Sequence, residues 1–169
     1  MKKNLILTGM MGVGKSTLGK SLSIRLKMNF IDTDKIIEEN EKATINDIFK
    51  NKGEDYFRKI EEKICLKSIK ENNNVIALGG GAFMNDPVRE VILKECISFW
   101  LDISVENLIG RSNNLNKRPL LSKNNLKTTL NDIYTKRRKI YNLANYKIVC
   151  DKITQKVILE KICNLYESN

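Results

Sequence analysis

Nine residues near the N-terminus carry the clearest chemistry. Gly9-Met10-Met11-Gly12-Val13-Gly14-Lys15-Ser16-Thr17 fills the spacing G-x-x-x-x-G-K-[ST], directly after the apolar run Leu5-Ile6-Leu7. Glycines at 9, 12 and 14 permit a tight turn whose successive N–H groups point inward at phosphate. Lys15 then reaches β- and γ-phosphates, and the Ser16 hydroxyl can ligate Mg²⁺. Gly12, Val13, Gly14, Lys15, Ser16 and Thr17 are the expected ATP-binding loop, with the following helix presenting its N-terminus to the same phosphates.

Two carboxylates follow at Asp32 and Asp34, after Phe30-Ile31. Along an extended strand end, alternation lets both lean the same way. One, near Lys15 and Ser16, can help hold Mg²⁺ through water. The other can accept a hydrogen bond from a substrate hydroxyl and orient it for in-line attack. The plainer alternative is that each caps the next helix. Arg58 offers a rigid fork for a planar carboxylate, with Glu61 one turn on to hold it; otherwise the two form a surface ion pair. Gly79-Gly80-Gly81 carries too much backbone entropy to be filler and suits close approach to a small ligand. Arg118, before Pro119, ends a polar stretch. A cation brought down by a closing flap neutralises charge on a transferring phosphoryl group and excludes water. Arg111 can lie over an adenine ring. In Lys136-Arg137-Arg138-Lys139 one cation can complete the carboxylate clamp, against the alternative of a solvated basic helix.

A βα series must position these groups. Apolar runs predict strands at 4–8, 29–32, 75–78, 97–101 and 147–150. Helical spacing predicts helices at 15–26, from Thr44 to about 50, at 53–71, from Pro87 to about 95, and at 104–111, 126–142 and 154–166. Residues 112–124, rich in Asn and Lys, read as a mobile flap. Such alternation implies a parallel sheet covered on both faces, with ligands beyond the strands' carboxyl ends. The phosphate loop, Asp32 and the triple glycine all fall there.

The 169 residues fit a single domain, 1–169, and the net charge of +10 suits a protein whose ligands are anions. RNP-type aromatic strands and zinc-finger spacing are absent, so no specific nucleic-acid partner is expected. No stretch is long and apolar enough to span a membrane. A cleavable signal peptide would destroy the phosphate loop. Four scattered cysteines and no histidine argue against zinc and for a reduced, cytoplasmic setting.

The set as a whole resembles shikimate kinase: GMMGVGKST at 9–17, DTD at 32–34, GEDYFRKIE at 53–61, GGG at 79–81, RPLL at 118–121 and RRKIY at 137–141. The resemblance covers nearly the whole chain in order. It implies a P-loop α/β/α sandwich with a five-stranded parallel sheet, strand order 2-3-1-4-5, and a mobile lid at about 112–124. It also implies ATP-dependent phosphorylation of the shikimate 3-hydroxyl, with Mg²⁺, by a monomer. Position by position, Lys15, Asp34 and Arg118 resemble the catalytic residues, and Ser16 and Asp32 the Mg²⁺-associated pair. Asp34, Arg58, Gly80, Gly81 and Arg137 resemble the shikimate contacts, within a binding region at about 33–61. Arg111 and Arg118 resemble the arginines at adenine and γ-phosphate. Two departures stand out. Lys139 replaces the proline of R-x-P-L-Y, and Ala144 is one residue nearer Tyr141 than in many relatives, leaving Arg138 as an alternative to Arg137. Leu78 stands where relatives often carry a small hydroxyl residue. The competing readings are a gluconate or nucleoside monophosphate kinase and a non-catalytic nucleotide-binding module. The surroundings of Asn116-Lys117 lack the N-K-x-D arrangement of a GTPase.

Overall fold

The computed structural model describes residues 2–111 and 125–169. Every residue of β1 (Leu5–Gly9) is buried, as a strand with helices on both faces must be. It lies centrally in a five-stranded sheet of order β2-β3-β1-β4-β5, with β2 at Asn29–Asp32, β3 at Asn74–Ala77, β4 at Ile97–Asp102 and β5 at Tyr146–Val149. Every pairing is parallel, and Leu7 faces Ala77 on one side and Phe99 on the other.

The helices are α1 (Lys15–Leu26), α2 (Thr33–Glu41), α3 (Ile45–Lys70), α4 (Asp86–Glu95), α5 (Val105–Arg111), α6 (Leu126–Tyr141) and α7 (Gln155–Glu167). From β1 the chain crosses through α1 to one edge of the sheet, then returns through α3, α4 and the α5–α6 pair toward the other. Right-handed crossovers place α1 on one face and the returning helices on the opposite one. Helix α7 packs on α1, and α3 on α4. This is the three-layer α/β/α sandwich with the strand order that the family resemblance implies.

Caps set the helix starts. Thr44 accepts from the Asp47 amide, Asn85 from Val88 and Thr154 from Val157, each satisfying an N–H left without a helical partner. Two features differ from the sequence reading. The helices expected from Thr44 and from residue 53 are one element, α3, bent at Gly53, where φ is 80° and ψ 172°; glycine adopts that backbone without steric cost. Residues 33–41, for which no span was predicted, form α2. Only Thr33 and Ile37 of that helix are fully buried, so periodicity marks it weakly.

The main apolar core lies on both faces of the sheet. A second cluster, Ile37, Ile45, Ile48, Phe57 and Ile64, sits apart between α2 and α3. The lid expected at 112–124, with Arg118, and the side chain of Arg111 lie outside the described residues.

Candidate active site

The turn after β1 is shaped by glycines at positive φ: 138° at Gly9, 82° at Gly12 and 100° at Gly14. At Gly9 any Cβ would also lie 2.6 Å from the Leu101 carbonyl oxygen. Gly14 precedes α1 with no side-chain cap, so the first amides of the helix face the loop. The buried Lys15 ammonium donates to the Gly9 and Met10 carbonyls at 2.8 and 2.9 Å. The lysine thus braces the loop that it serves.

Asp32 caps the next helix and also stands beside Ser16. Its Oδ1 accepts from the Lys35 amide at 3.3 Å and caps α2, while its Oδ2 accepts from the Ser16 hydroxyl at 2.5 Å. The expectation of two carboxylates on one extended strand end is corrected here. Asp32 closes β2, and Asp34 stands in the first turn of α2. Both still line the cleft beside Lys15 and Ser16. Thr33 between them is buried, donates to the Ala77 carbonyl at 3.3 Å and accepts from the Gly79 amide at 3.0 Å. It fastens the start of α2 to the glycine turn, a role its place inside D-T-D did not advertise.

Arg58 is not in a surface pair. Its side chain is 29% exposed and that of Glu61 only 4%. Nη1 donates to Glu61 at 2.7 Å, and Nη2 and Nε donate to Glu54 at 2.9 and 3.2 Å, so two carboxylates fix the fork. Burial raises the Glu61 carboxyl above its ordinary value despite the opposing pull of Arg58, and the nearby Asp34 charge adds to the rise. Burial works against the charge of Arg58, but Glu61 and Glu54 outweigh it.

The three glycines each face a charged group or the phosphate loop. A Cβ on Gly79 would lie 2.5 Å from Asp34 Oδ1 and 2.7 Å from Glu61 Oε1. On Gly80 it would meet the Met11 amide nitrogen at 3.3 Å and Arg137 Nη1 at 3.6 Å, and on Gly81 it would press on the Arg58 guanidinium. The missing side chains therefore make room for functional ones. The Gly80 carbonyl accepts from Arg137 Nη1 at 2.9 Å and from the Tyr141 hydroxyl. Arg138 instead lies over the Tyr134 ring, 5.8 Å from its centroid.

Three cavities follow one another across the phosphate loop. The first, about 400 Å³, is lined by Asp34, Arg58, Glu61, Gly80, Gly81 and Arg137, with an apolar wall of Met11, Ile45, Phe49 and Phe57. The second is the cleft beside Lys15, Ser16, Thr17 and Asp32, and it shares Met11, Asp34 and Gly80 with the first. The third, about 810 Å³, is bounded by Gly12, Val13, Gly14 and Thr17 together with Leu18, Leu101, Cys150, Ile153, Gln155 and Ile158. Leu101, Ile153 and Gln155 were not singled out in the sequence; no local motif marks them, and the β1–β4 pairing, which sets Leu101 beside Gly9, together with the β4–β5 pairing brings their segments beside the loop. Leu78 lines the second cleft.

A 2-3-1-4-5 sheet, a phosphate loop and an acceptor cavity opening onto that loop define a P-loop small-molecule kinase. A sequence profile described as "Shikimate kinase" matches residues 11–167. The chain belongs to the shikimate kinase family. It is 40% identical over 160 residues to a shikimate kinase of Sulfurihydrogenibium sp., covering 95% of each chain. Against one from Bartonella henselae it is 36% identical over 158 residues, covering 94% of this chain and 75% of the relative. The structure is similar to that of shikimate kinase from Acinetobacter baumannii in complex with shikimate, with TM-score 0.94 and 34% identity, covering 100% of this chain and 95% of that one. A gluconokinase from Sinorhizobium meliloti, at 15% identity and TM-score 0.60, shares the fold alone.

Proposed function

We propose that this chain transfers the γ-phosphoryl group of ATP to the 3-hydroxyl of shikimate, giving shikimate 3-phosphate and ADP. The observation that carries this reading is Asp34, which lines both the acceptor cavity and the phosphate cleft. A hydroxyl oriented by its carboxylate faces the group to be transferred. The paired fork of Arg58 and Arg137 receives the acceptor's carboxylate, since a guanidinium matches a carboxylate in shape and charge. Ile45, Phe49 and Phe57 cover its carbon ring. Asp34 accepts the hydrogen bond of the attacking hydroxyl and, as the O–P bond forms, its proton. The loop amides and Lys15 hold the β- and γ-phosphates. The base of ATP occupies the third cavity.

Among the described residues no group of three or more His, Cys, Asp or Glu side chains can hold a metal. The adjacent oxygens of Ser16 and Asp32 nevertheless fit Mg²⁺, which takes few protein ligands and completes its shell with water and phosphate. Bound there, Mg²⁺ neutralises charge on the phosphate oxygens. Arg118 as the cation at the transferred phosphoryl group, and Arg111 on adenine, rest on their motifs. The described cysteines are all buried and free, which suits a reduced, cytoplasmic setting. No helix among the described residues is long and apolar enough to cross a membrane.

A coupled ADP-release assay over shikimate, gluconate, AMP, CMP and GMP tests the reading. Shikimate should be strongly preferred, and faster turnover of gluconate or of any nucleoside monophosphate would overturn it.

A further inference from the structure

One side-chain cluster at the sheet's carboxyl edge takes no part in the chemistry above. Asp102 ends β4 and is buried, yet both carboxylate oxygens are engaged. Oδ1 accepts from the Tyr134 hydroxyl at 2.8 Å, and Oδ2 pairs with the Lys147 ammonium at 2.9 Å. Lys147 lies 4.5 Å from the centroid of Trp100, whose ring stacks on Tyr141 at 5.9 Å. Tyr134, Arg137 and Tyr141 recur at i, i+3 and i+7, one stripe along α6. Of the 16 residues of α6 only Leu130 and Tyr141 are fully buried. Leu126, Ile133, Tyr134 and Ile140, partly buried, also pack against the core; apolar packing is non-directional, and the polar anchors add direction to it. Tyr141 bonds the Gly80 carbonyl, Tyr134 bonds the end of β4, and Arg137 stands between them.

We propose that Tyr134 and Asp102 are positioning residues for the kinase reaction: their hydrogen bond fixes α6 along the sheet edge and so holds the Arg137 guanidinium at the acceptor cavity beside Gly80. This rests on the shikimate kinase reading of that cavity. Burial, then the bond to Asp102, pushes the Tyr134 phenol up to about 12, so it stays a donor across the enzyme's working range. Tyr134→Phe deletes that bond and keeps the ring beneath Arg138.

The test compares KM for shikimate and for ATP in the natural chain, Tyr134→Phe, Arg137→Ala and the double variant. Tyr134→Phe should raise the shikimate KM about three- to tenfold, the weight of one hydrogen bond, with kcat and the ATP KM within about twofold. In the Arg137→Ala background the same change should add nothing to the shikimate KM, because residues acting through one another are not additive. Asp102→Asn, which keeps an acceptor oxygen for Tyr134, should stay nearer the natural chain. An unchanged shikimate KM in Tyr134→Phe, equal rises in both KM values, or full additivity in the double variant would overturn the proposal while leaving the kinase reading intact. Absence of shikimate turnover in the natural chain would remove both.

Discussion

Replacing Gly81 with alanine separates two reasons for keeping a glycine. Gly81 has φ −104° and ψ −13°, which alanine adopts without strain. The added methyl would nevertheless press most closely on Nη1 of Arg58 and lie 3.0 Å from its Cζ and Nη2. Optimal carbon contacts lie at about 3.5–4.0 Å, so the guanidinium must retreat by more than about 1 Å. A long side chain yields where backbone would not, so the fold is spared. Loss of glycine's freedom in the unfolded chain contributes about 0.4–1 kcal/mol of stability. The displaced fork loses about one hydrogen bond to a charged group, roughly 1.5–3 kcal/mol. At about 1.4 kcal/mol per decade that is a ten- to hundredfold rise in the shikimate KM. Because Nη1 also bonds the buried Glu61, part of that gain is lost and thermal melts should show Gly81→Ala close to the natural chain, while coupled ADP release should show the shikimate KM raised with the ATP KM within about twofold. A lowered melting temperature with an unchanged shikimate KM would refute the reasoning.

Asp34→Asn should lower kcat by about 10²-fold or more, with ATP binding intact in calorimetric titration, because the amide cannot take the hydroxyl's proton. Arg58→Ala and Arg137→Ala should each raise the shikimate requirement far more than the ATP requirement, with Arg138→Ala milder; steady-state titration of each substrate ranks the three. Burial raises the Glu61 carboxyl above its ordinary 4.5 against the pull of Arg58. A carboxyl raised on folding contributes stability while protonated and loses it as pH climbs past 4.5 through the folded value. Urea titrations should therefore show the stability of the natural chain, relative to Glu61→Gln, falling as pH rises above 4.5.

The phosphate loop was legible because all its work is local: nine consecutive residues set the turn, the lysine and the helix start. The sheet was legible because buried parallel strands are short apolar runs between helices. Arg137 against Arg138 was not settled by motif matching, yet a signal was present. Arg137 precedes Tyr141 by four, one helical turn, and both side chains reach the Gly80 carbonyl. Glu54 and Glu61 both flank Arg58 at helical spacing, but only the fold shows Glu61 buried beneath the glycine turn. Thr33 and the Ile153–Gln155 segment stayed silent because their meaning is entirely long-range. Thr33 acts on Ala77 and Gly79, and the segment acts across two strands. Helix α2 was missed for a related reason: its apolar anchor belongs to the small cluster shared with α3, not to the sheet.

That small cluster divides the inheritance of the enzyme. Ile37, Ile45, Ile48, Phe57 and Ile64 pack with one another, while the residues of β1, β4 and α1 pack in the larger core. Ile45 and Phe57 also line the acceptor cavity. Substitutions at Ile45 or Phe57 are therefore taken up first between α2 and α3, away from the strands that aim the phosphate loop. The apolar wall of the acceptor cavity is thus open to change by drift, whereas Met11, Asp34 and Gly80, shared with the phosphate cleft, hold acceptor and transfer together.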